Sequence, residues 1–168
     1  MSATLTTVPV RKEIFFYWKK HENIELSNFY PCTIVIDYKI WPSTEHYYQA
    51  MKTLDPALQE FVRGAPTPYY AKAVMQKGVM KDKDLRPDWD DVKVGVMKKA
   101  IRAKFTQHKK LMHLLLDTED AGLHEDSDTD LFWGCVKDKD GKFHGQDMLG
   151  KLLMEIREEI RKEIAWKR

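Results

Sequence analysis

The sequence predicts an α+β fold, a single compact domain that is mainly helical with a small β-sheet. Three observations predict it. Apolar residues recur at three- and four-residue steps over two long segments, beginning at Val92 and at Met148. Alternating apolar runs are few and short, Ile14 to Trp18 and Thr33 to Trp41 being the clearest. The 168 residues suffice for one sizeable core, and neither an internal repeat nor a linker divides them.

Residues 1–12, MSATLTTVPVRK, lack the apolar core of a signal peptide and read as a flexible lead-in to a domain spanning 13–168. Ile14 to Trp18 is the first strand. LSNFYP, Leu26 to Pro31, is a loop, with Ser-Asn ahead of aromatics and a proline stop. Thr33 to Trp41 alternates about Asp37-Tyr38-Lys39, which predicts a hairpin. Pro42 ends it, and Ser43 or Thr44 caps a helix running to about Leu54. A short helix covers Pro56 to Val62, Gly64 to Pro68 is punctuation, and Tyr69 to Lys77 is helical. The charged stretch Lys81 to Asp91 holds Pro87 and reads as a loop. Then comes the strongest helix, with Val92, Val96, Met97, Ala100, Ile101, Phe105 and His108 on one face. Leu111, Met112, Leu115 and Leu116 extend it past a bend near Thr106, and Gly122 ends it. HEDSDTDLFWGCV, His124 to Val136, is a polar loop entering an aromatic strand. Lys137 to Lys142 is a turn. Met148, Leu149, Leu152, Leu153, Ile156, Ile160 and Ile164 mark a long amphipathic final helix.

Composition narrows the function. With 28 basic and 26 acidic residues the net charge is +2, which gives no strong grip on nucleic acid or an anionic membrane, while leaving room for a small phosphate-bearing ligand. No apolar run is long enough to span a membrane. Cys32 and Cys135 lack C-x-x-C spacing and read as reduced core residues of a cytoplasmic protein. The six histidines and two cysteines show no metal-ligand spacing, so no metal is expected.

Three polar clusters carry the candidate chemistry. The first is WPSTEHYYQAMK, Trp41 to Lys52. Glu45 falls in the first turn of its helix, where the dipole favours a charged carboxylate. Glu45, Tyr48, Gln49 and Lys52 share one face, because three-, four- and seven-residue steps return to nearly the same side. They line a groove, or else Glu45 caps its own helix and Lys52 is solvated. The second is HEDSDTDLFWG, with four acids in six residues, where Asp130 directly precedes Leu131-Phe132-Trp133. The third is Trp89 in LRPDWDD, which either folds back onto the core or offers its face to a ring-shaped ligand.

The ordered blocks LSNFYP, PSTEHYYQAMK, LRPDWD, VMKKAIRAKF, DTDLFWG and the G-x-D-x-L-G of Gly145 to Gly150 resemble the NADAR family of YbiA-like proteins, from about Phe15 to Arg157. The resemblance implies an N-glycosidase that hydrolyses the bond between ribose and a nitrogen heterocycle. It implies no cofactor. Its partners are a small N-riboside phosphate or an ADP-ribosylated base, ADP-ribosylated DNA included. Carried onto this chain, the catalytic set is Glu45, Lys52 and Asp130. The candidate substrate-binding set is Trp89, Trp133, Tyr48, Gln49, Asn28, Arg86 and Asp147, and the sequence does not choose among Arg86, Lys104 and Lys151 as the phosphate partner. Glu45 would stabilise an oxocarbenium-like charge, Lys52 would attack the sugar carbon or contact phosphate, and Asp130 would orient the leaving group or water. Asp147 stands where the resemblance implies Asn, and an ionised Asp only accepts hydrogen bonds. A non-catalytic ADP-ribose-binding module is the alternative, keeping the tryptophans without using Glu45 and Lys52.

Overall fold

The computed structural model describes residues 12–19, 22–76 and 80–167. The expected lead-in therefore lies outside the described residues but for its last position, as does the end of the helix expected to reach Lys77. Strand β1 is Glu13–Phe16; β2, Ile34–Ile36, and β3, Lys39–Trp41, form the expected hairpin. Its turn residues Asp37 and Tyr38 both have positive φ, 51° and 61°, the geometry that matches the twist of a tight hairpin. Then follow helices α1 Thr44–Ala50, α2 Pro56–Arg63, α3 Pro68–Val74, α4 Trp89–Gln107 and α5 Lys109–Leu116. Strand β4 is Gly122–Glu125, β5 and β6 are the short pair Val136–Lys137 and Phe143–His144, and α6 is Met148–Trp166.

Local chemistry places the helix starts. Ser43, Asp55 and Thr67 each accept a backbone N–H from the first turn of α1, α2 and α3, and a proline opens both α2 and α3. The long apolar stripe divides at His108, whose extended backbone separates α4 from α5. Its buried members are Met97, Ala100, Ile101 and Phe105 on α4 and Leu111 and Leu115 on α5.

Three expectations need correction. Trp89 is not in a loop: the helix starts there, three residues ahead of the apolar stripe. Gly122 does not end a helix. Asp117 caps α5, and Gly122 opens β4, pairing in register with Glu13. The sequence pattern concealed β4 because it offers only Leu123 between a glycine and a polar pair. Leu131-Phe132-Trp133 is a turn and not a strand, since Asp130 Oδ1 accepts the backbone N–H groups of Phe132 and Trp133 at 2.9 and 2.8 Å.

β1 and β4 lie parallel, Phe16 opposite Glu125, and α6 packs across β4. The core joins Phe16 and Leu123 to Leu149, Leu152, Leu153, Ile156 and Ile160 of α6 and to the buried stripe of α4. Buried Arg157 of α6 donates to Thr118 Oγ1 at 2.7 Å and to the Ala121 carbonyl at 3.0 Å, fixing the approach to β4. Gly150 lets α6 lie directly on β4, because a Cβ there would collide with the Leu123 carbonyl oxygen. Gly150→Ala is therefore expected to destabilise the chain by about 3 kcal/mol, lowering the melting temperature by roughly 6–12 °C. A shift below about 2 °C in a thermal melt would show that the contact has slack.

Candidate active site

Every residue of α1 is buried, although four of its seven side chains are hydroxyl, carboxyl, imidazole or amide groups outside the tyrosines and alanine. The helix is enclosed by α2, α3 and α4. Its polar groups find specific partners. Ser43 Oγ lies 2.8 Å from His46 Nδ1, and His46 Nε2 lies 3.1 Å from the Ala65 carbonyl. A carbonyl can only accept, so Nε2 carries a proton, and the Ser43 hydroxyl, which accepts the His46 backbone N–H, can give its hydrogen to Nδ1 of a neutral ring. Burial pushes its pKa down, in keeping with that role. Thr44 Oγ1 and the Glu45 N–H both donate to the Asn28 carbonyl, at 3.0 and 3.3 Å. The LSNFYP loop is thereby tied to the start of α1.

The opposite face of α1 opens into a cavity of about 540 Å³. Glu45, Tyr48, Gln49 and Lys52 all line it, so the shared face expected from their spacing is present. Asp130, Trp133 and Asn28 line it too. Gln49 Nε2 donates to Glu45 Oε1 at 2.7 Å, and Gln49 Oε1 is left buried without a hydrogen-bond partner. Trp133 Nε1 donates to the Tyr48 hydroxyl at 3.0 Å, the rings meeting edge-on with centroids 5.4 Å apart. Asp130 spends Oδ1 on two backbone N–H groups, and its own N–H donates to Ser127 Oγ at 2.9 Å. The turn thus presents a carboxylate held from behind.

Burial changes the electrostatics expected from helix position. Desolvation pushes the Glu45 carboxyl above its usual range, against the opposing effects of the Gln49 amide, Lys72 and Lys52. The first-turn dipole therefore does not by itself keep Glu45 ionised. Desolvation also pushes the Lys52 amine down, partly offset by the Glu45 charge. Its Nζ stands 5.6 Å from the centroid of the Tyr48 ring. Half-buried, with its amine depressed, Lys52 is chemically suited to act as a nucleophile.

Three expected binding residues lie elsewhere. Trp89 does not line the cavity: its ring is 9% exposed and packs on Tyr48 from below, centroids 5.1 Å apart. Of the two readings open for it, the fold-back onto the core is the one observed. Arg86 pairs with Asp88 at 2.7 Å, and its backbone N–H donates to the Lys52 carbonyl at 2.8 Å, so it steadies the end of α1 from outside. Asp147 precedes α6 in a left-handed conformation and accepts the Glu125 N–H on Oδ1 at 3.1 Å and meets His124 Nδ1 with Oδ2 at 2.7 Å. Lys104 is fully buried beneath the LSNFYP loop, donating to the Ser27 carbonyl at 2.8 Å, and burial pushes its amine down to about 8. Lys151 is exposed and does not line the cavity.

The cavity also holds residues that spacing did not single out. Tyr17, Trp18, Phe29 and Phe132 form aromatic walls, Trp18 stacking on Phe29 with centroids 4.9 Å apart. Lys72 of α3 stands at 5.6 Å over Phe29, and Glu125 enters from the end of β4. Trp18 closes the apolar-aromatic run from Ile14, two residues past the end of β1, and Phe29 lies in an aromatic loop, which is the signal that could have found them. Spacing along the chain likewise concealed a grouping of His124, Cys135 and Asp147, whose ligand-type atoms lie within 4.8 Å of one another. There His124 is already flanked by Asp147 at 2.7 Å and Glu13 at 2.6 Å, and burial pushes the Cys135 thiol up to about 12. A metal would need that thiol ionised, so the donors present do not favour one.

The NADAR domain family profile matches residues 15–161. The chain is 42% identical over 147 residues to N-glycosidase YbiA of Escherichia coli (strain K12), covering 88% of each chain. It is 42% identical over 153 residues to an N-glycosidase of Nostoc punctiforme, covering 88% of this chain and 92% of that one. It is 40% identical over 157 residues to a riboflavin biosynthesis protein of Vibrio vulnificus (strain YJ016), covering 94% of this chain and 41% of the longer relative. The NMR structure of E. coli YbiA superposes with a TM-score of 0.79 at 38% identity, covering 96% of this chain and 92% of that one.

Because Trp89 supports Tyr48 from the core side, Trp89→Ala is expected to cost about 3–5 kcal/mol of stability and to lower the melting temperature by roughly ten degrees or more. An unchanged melt combined with weakened ligand binding would instead mark the ring as ligand-facing.

Proposed function

The chain belongs to the NADAR family, and from that premise we propose that its cavity hydrolyses the C–N bond joining ribose to a nitrogen heterocycle, the ribose being part of a ribose phosphate or of ADP-ribose. The observation that carries this reading is the meeting of Glu45, Lys52 and Asp130 in one cavity walled by aromatic rings. N-glycoside cleavage builds positive charge at the anomeric carbon and ring oxygen. Carboxyl groups fixed beside that carbon stabilise the charge, most effectively in a cavity that excludes bulk water. The aromatic walls suit a flat heterocycle. The unpartnered Gln49 Oε1 suits a ribose hydroxyl, which can donate to it. Lys72 supplies positive charge for a phosphate.

Two features favour a small riboside phosphate, such as a ribosylamino-pyrimidine phosphate, over ADP-ribosylated guanine. One is the riboflavin biosynthesis name of the Vibrio relative. The other is a net charge of only +2, too little for a strong general affinity for DNA. In a non-catalytic ADP-ribose module Lys52 would act only as a phosphate contact, a role that burial, by disfavouring its cation, suits poorly.

Assay of a panel of N-ribosides for released ribose phosphate or ADP-ribose tests the reading. Release from at least one member is expected, and inactivity toward all of them alongside tight ADP-ribose binding would favour the binding module. Glu45→Gln keeps the shape of the side chain and removes its charge. Turnover is expected to fall about a hundredfold or more, equivalent to about 3 kcal/mol, with affinity little changed. Turnover within a few-fold of the parent chain would remove Glu45 from this role. If Lys52 attacks the anomeric carbon, borohydride added during turnover traps the ring-opened sugar on the peptide carrying Lys52, and Lys52→Arg abolishes trapping and turnover together. An active Lys52→Arg chain with no trapped species would leave direct attack by water.

A further inference from the structure

We propose that Glu125 is the general acid of the site, giving its proton to the heterocycle nitrogen as the C–N bond breaks. The assignment rests on the N-glycosidase reading above. Glu125 is the last residue of β4 and lines the same cavity as Glu45, Lys52 and Asp130. Its backbone is held on every side. Its N–H donates to Asp147 Oδ1 at 3.1 Å, and its carbonyl accepts from the N–H groups of Ser127 and Cys135 at 2.9 and 2.8 Å. Gly134 permits that approach, since a Cβ there would lie 2.7 Å from the Glu125 carbonyl oxygen. Yet the Glu125 carboxyl has no hydrogen-bond or ion-pair partner among the described residues. A rigidly mounted carboxyl with no partner of its own, facing a cavity, is free to serve a ligand.

Its surroundings favour the protonated form. Burial pushes the carboxyl up to about 8, and the neighbouring Glu45, Asp130 and Asp147 push it the same way, while Lys72 opposes them. These groups come from α1, the 130–133 turn, the residue before α6, and α3. Lys52 of α1 lines the same space. Three carboxyls cannot all ionise cheaply there, so one holds a proton near neutrality. Glu45 accepts from the Gln49 amide and Asp130 from two backbone N–H groups, whereas the Glu125 carboxyl accepts from no donor among the described residues.

The proton count closes. As the C1′–N bond breaks, its electron pair stays on the heterocycle nitrogen, which takes the Glu125 proton. C1′ gains a bond to the Lys52 amine or to water. When water completes hydrolysis, the Glu125 carboxylate accepts one of its protons and returns to the starting state. The net change is one water consumed, with the ribose hydroxyl and the N–H heterocycle formed.

The test uses the full chain and a series of ribosyl phosphates whose heterocycle leaving groups differ in basicity. Below pH 8 the parent chain is expected to show rates nearly independent of leaving-group basicity. As pH rises through about 8 the acid is lost, so rates fall for basic leaving groups and hold for acidic ones. Glu125→Gln is expected to slow basic leaving groups a hundredfold or more, to leave acidic ones within a few-fold, and to lose the alkaline fall. Equal slowing across the series, unchanged rates, or a retained alkaline fall would overturn the assignment. If Gln lowers the melting temperature and obscures the comparison, the parent series decides alone: the same leaving-group sensitivity on both sides of pH 8 excludes Glu125 as the acid. Inactivity of the parent chain toward every N-riboside would instead overturn the N-glycosidase reading, and this assignment with it.

Discussion

The structure depends on the complete burial of a polar helix. Seven consecutive residues of α1 are removed from solvent, and each polar group among them must replace its hydration by a specific partner. On the protein side those partners are present: Ser43 and the Ala65 carbonyl for His46, and the Asn28 carbonyl for Thr44 and the Glu45 amide. On the cavity side the match is incomplete: Glu45 and Tyr48 accept from Gln49 and Trp133, but Gln49 Oε1 remains unmatched. The asymmetry orients the helix. One face is satisfied by the fold, and the other retains the bonding capacity that a ligand can use.

The elements around α1 hold that arrangement. The 27–30 loop is clamped between two helices, since Ser27 accepts from buried Lys104 of α4 while Asn28 accepts from the start of α1. Among the described residues Lys104 donates one hydrogen bond, and it lies over the rings of Tyr30 and Phe105, at 5.4 and 5.1 Å from their centroids. At the other end, Arg86 holds the Lys52 carbonyl through its backbone, and Trp89 fills the space beneath Tyr48. These residues belong to motifs through which the family is recognisable, yet all but Asn28 act behind the cavity wall.

Much of this was legible in the sequence for physical reasons. Helical periodicity depends only on which face is buried, so α4, α5 and α6 show plainly in Met97 to Leu115 and in Leu149 to Ile160. The same geometry places Glu45, Tyr48, Gln49 and Lys52 on one side. Strand β4 was not legible, because its partner β1 is more than a hundred residues away and its short span carries no alternation. Glu125 therefore passed as one acid among several in a polar loop. Trp89 misled for the opposite reason. Charged neighbours made its segment look exposed, while the helix starting at that residue turns the ring inward. Charge states were least legible, since the helix position of Glu45 argues for ionisation and its burial argues against it.

The parallel pairing of β1 with β4 has a consequence for the order in which the chain acquires its parts. Glu13 to Phe16 must wait for Gly122 to Glu125 before either strand has a partner, and α6 must follow to cover β4. Loop closure over such a separation is slow compared with helix formation. On the ribosome, α1 to α5 emerge first, while the walls contributed by β4 and the 127–133 turn arrive only after them. Lys52 is thus synthesised long before Glu125 and Asp130, which line the same cavity, and that cavity is complete only once the far end of the chain has docked.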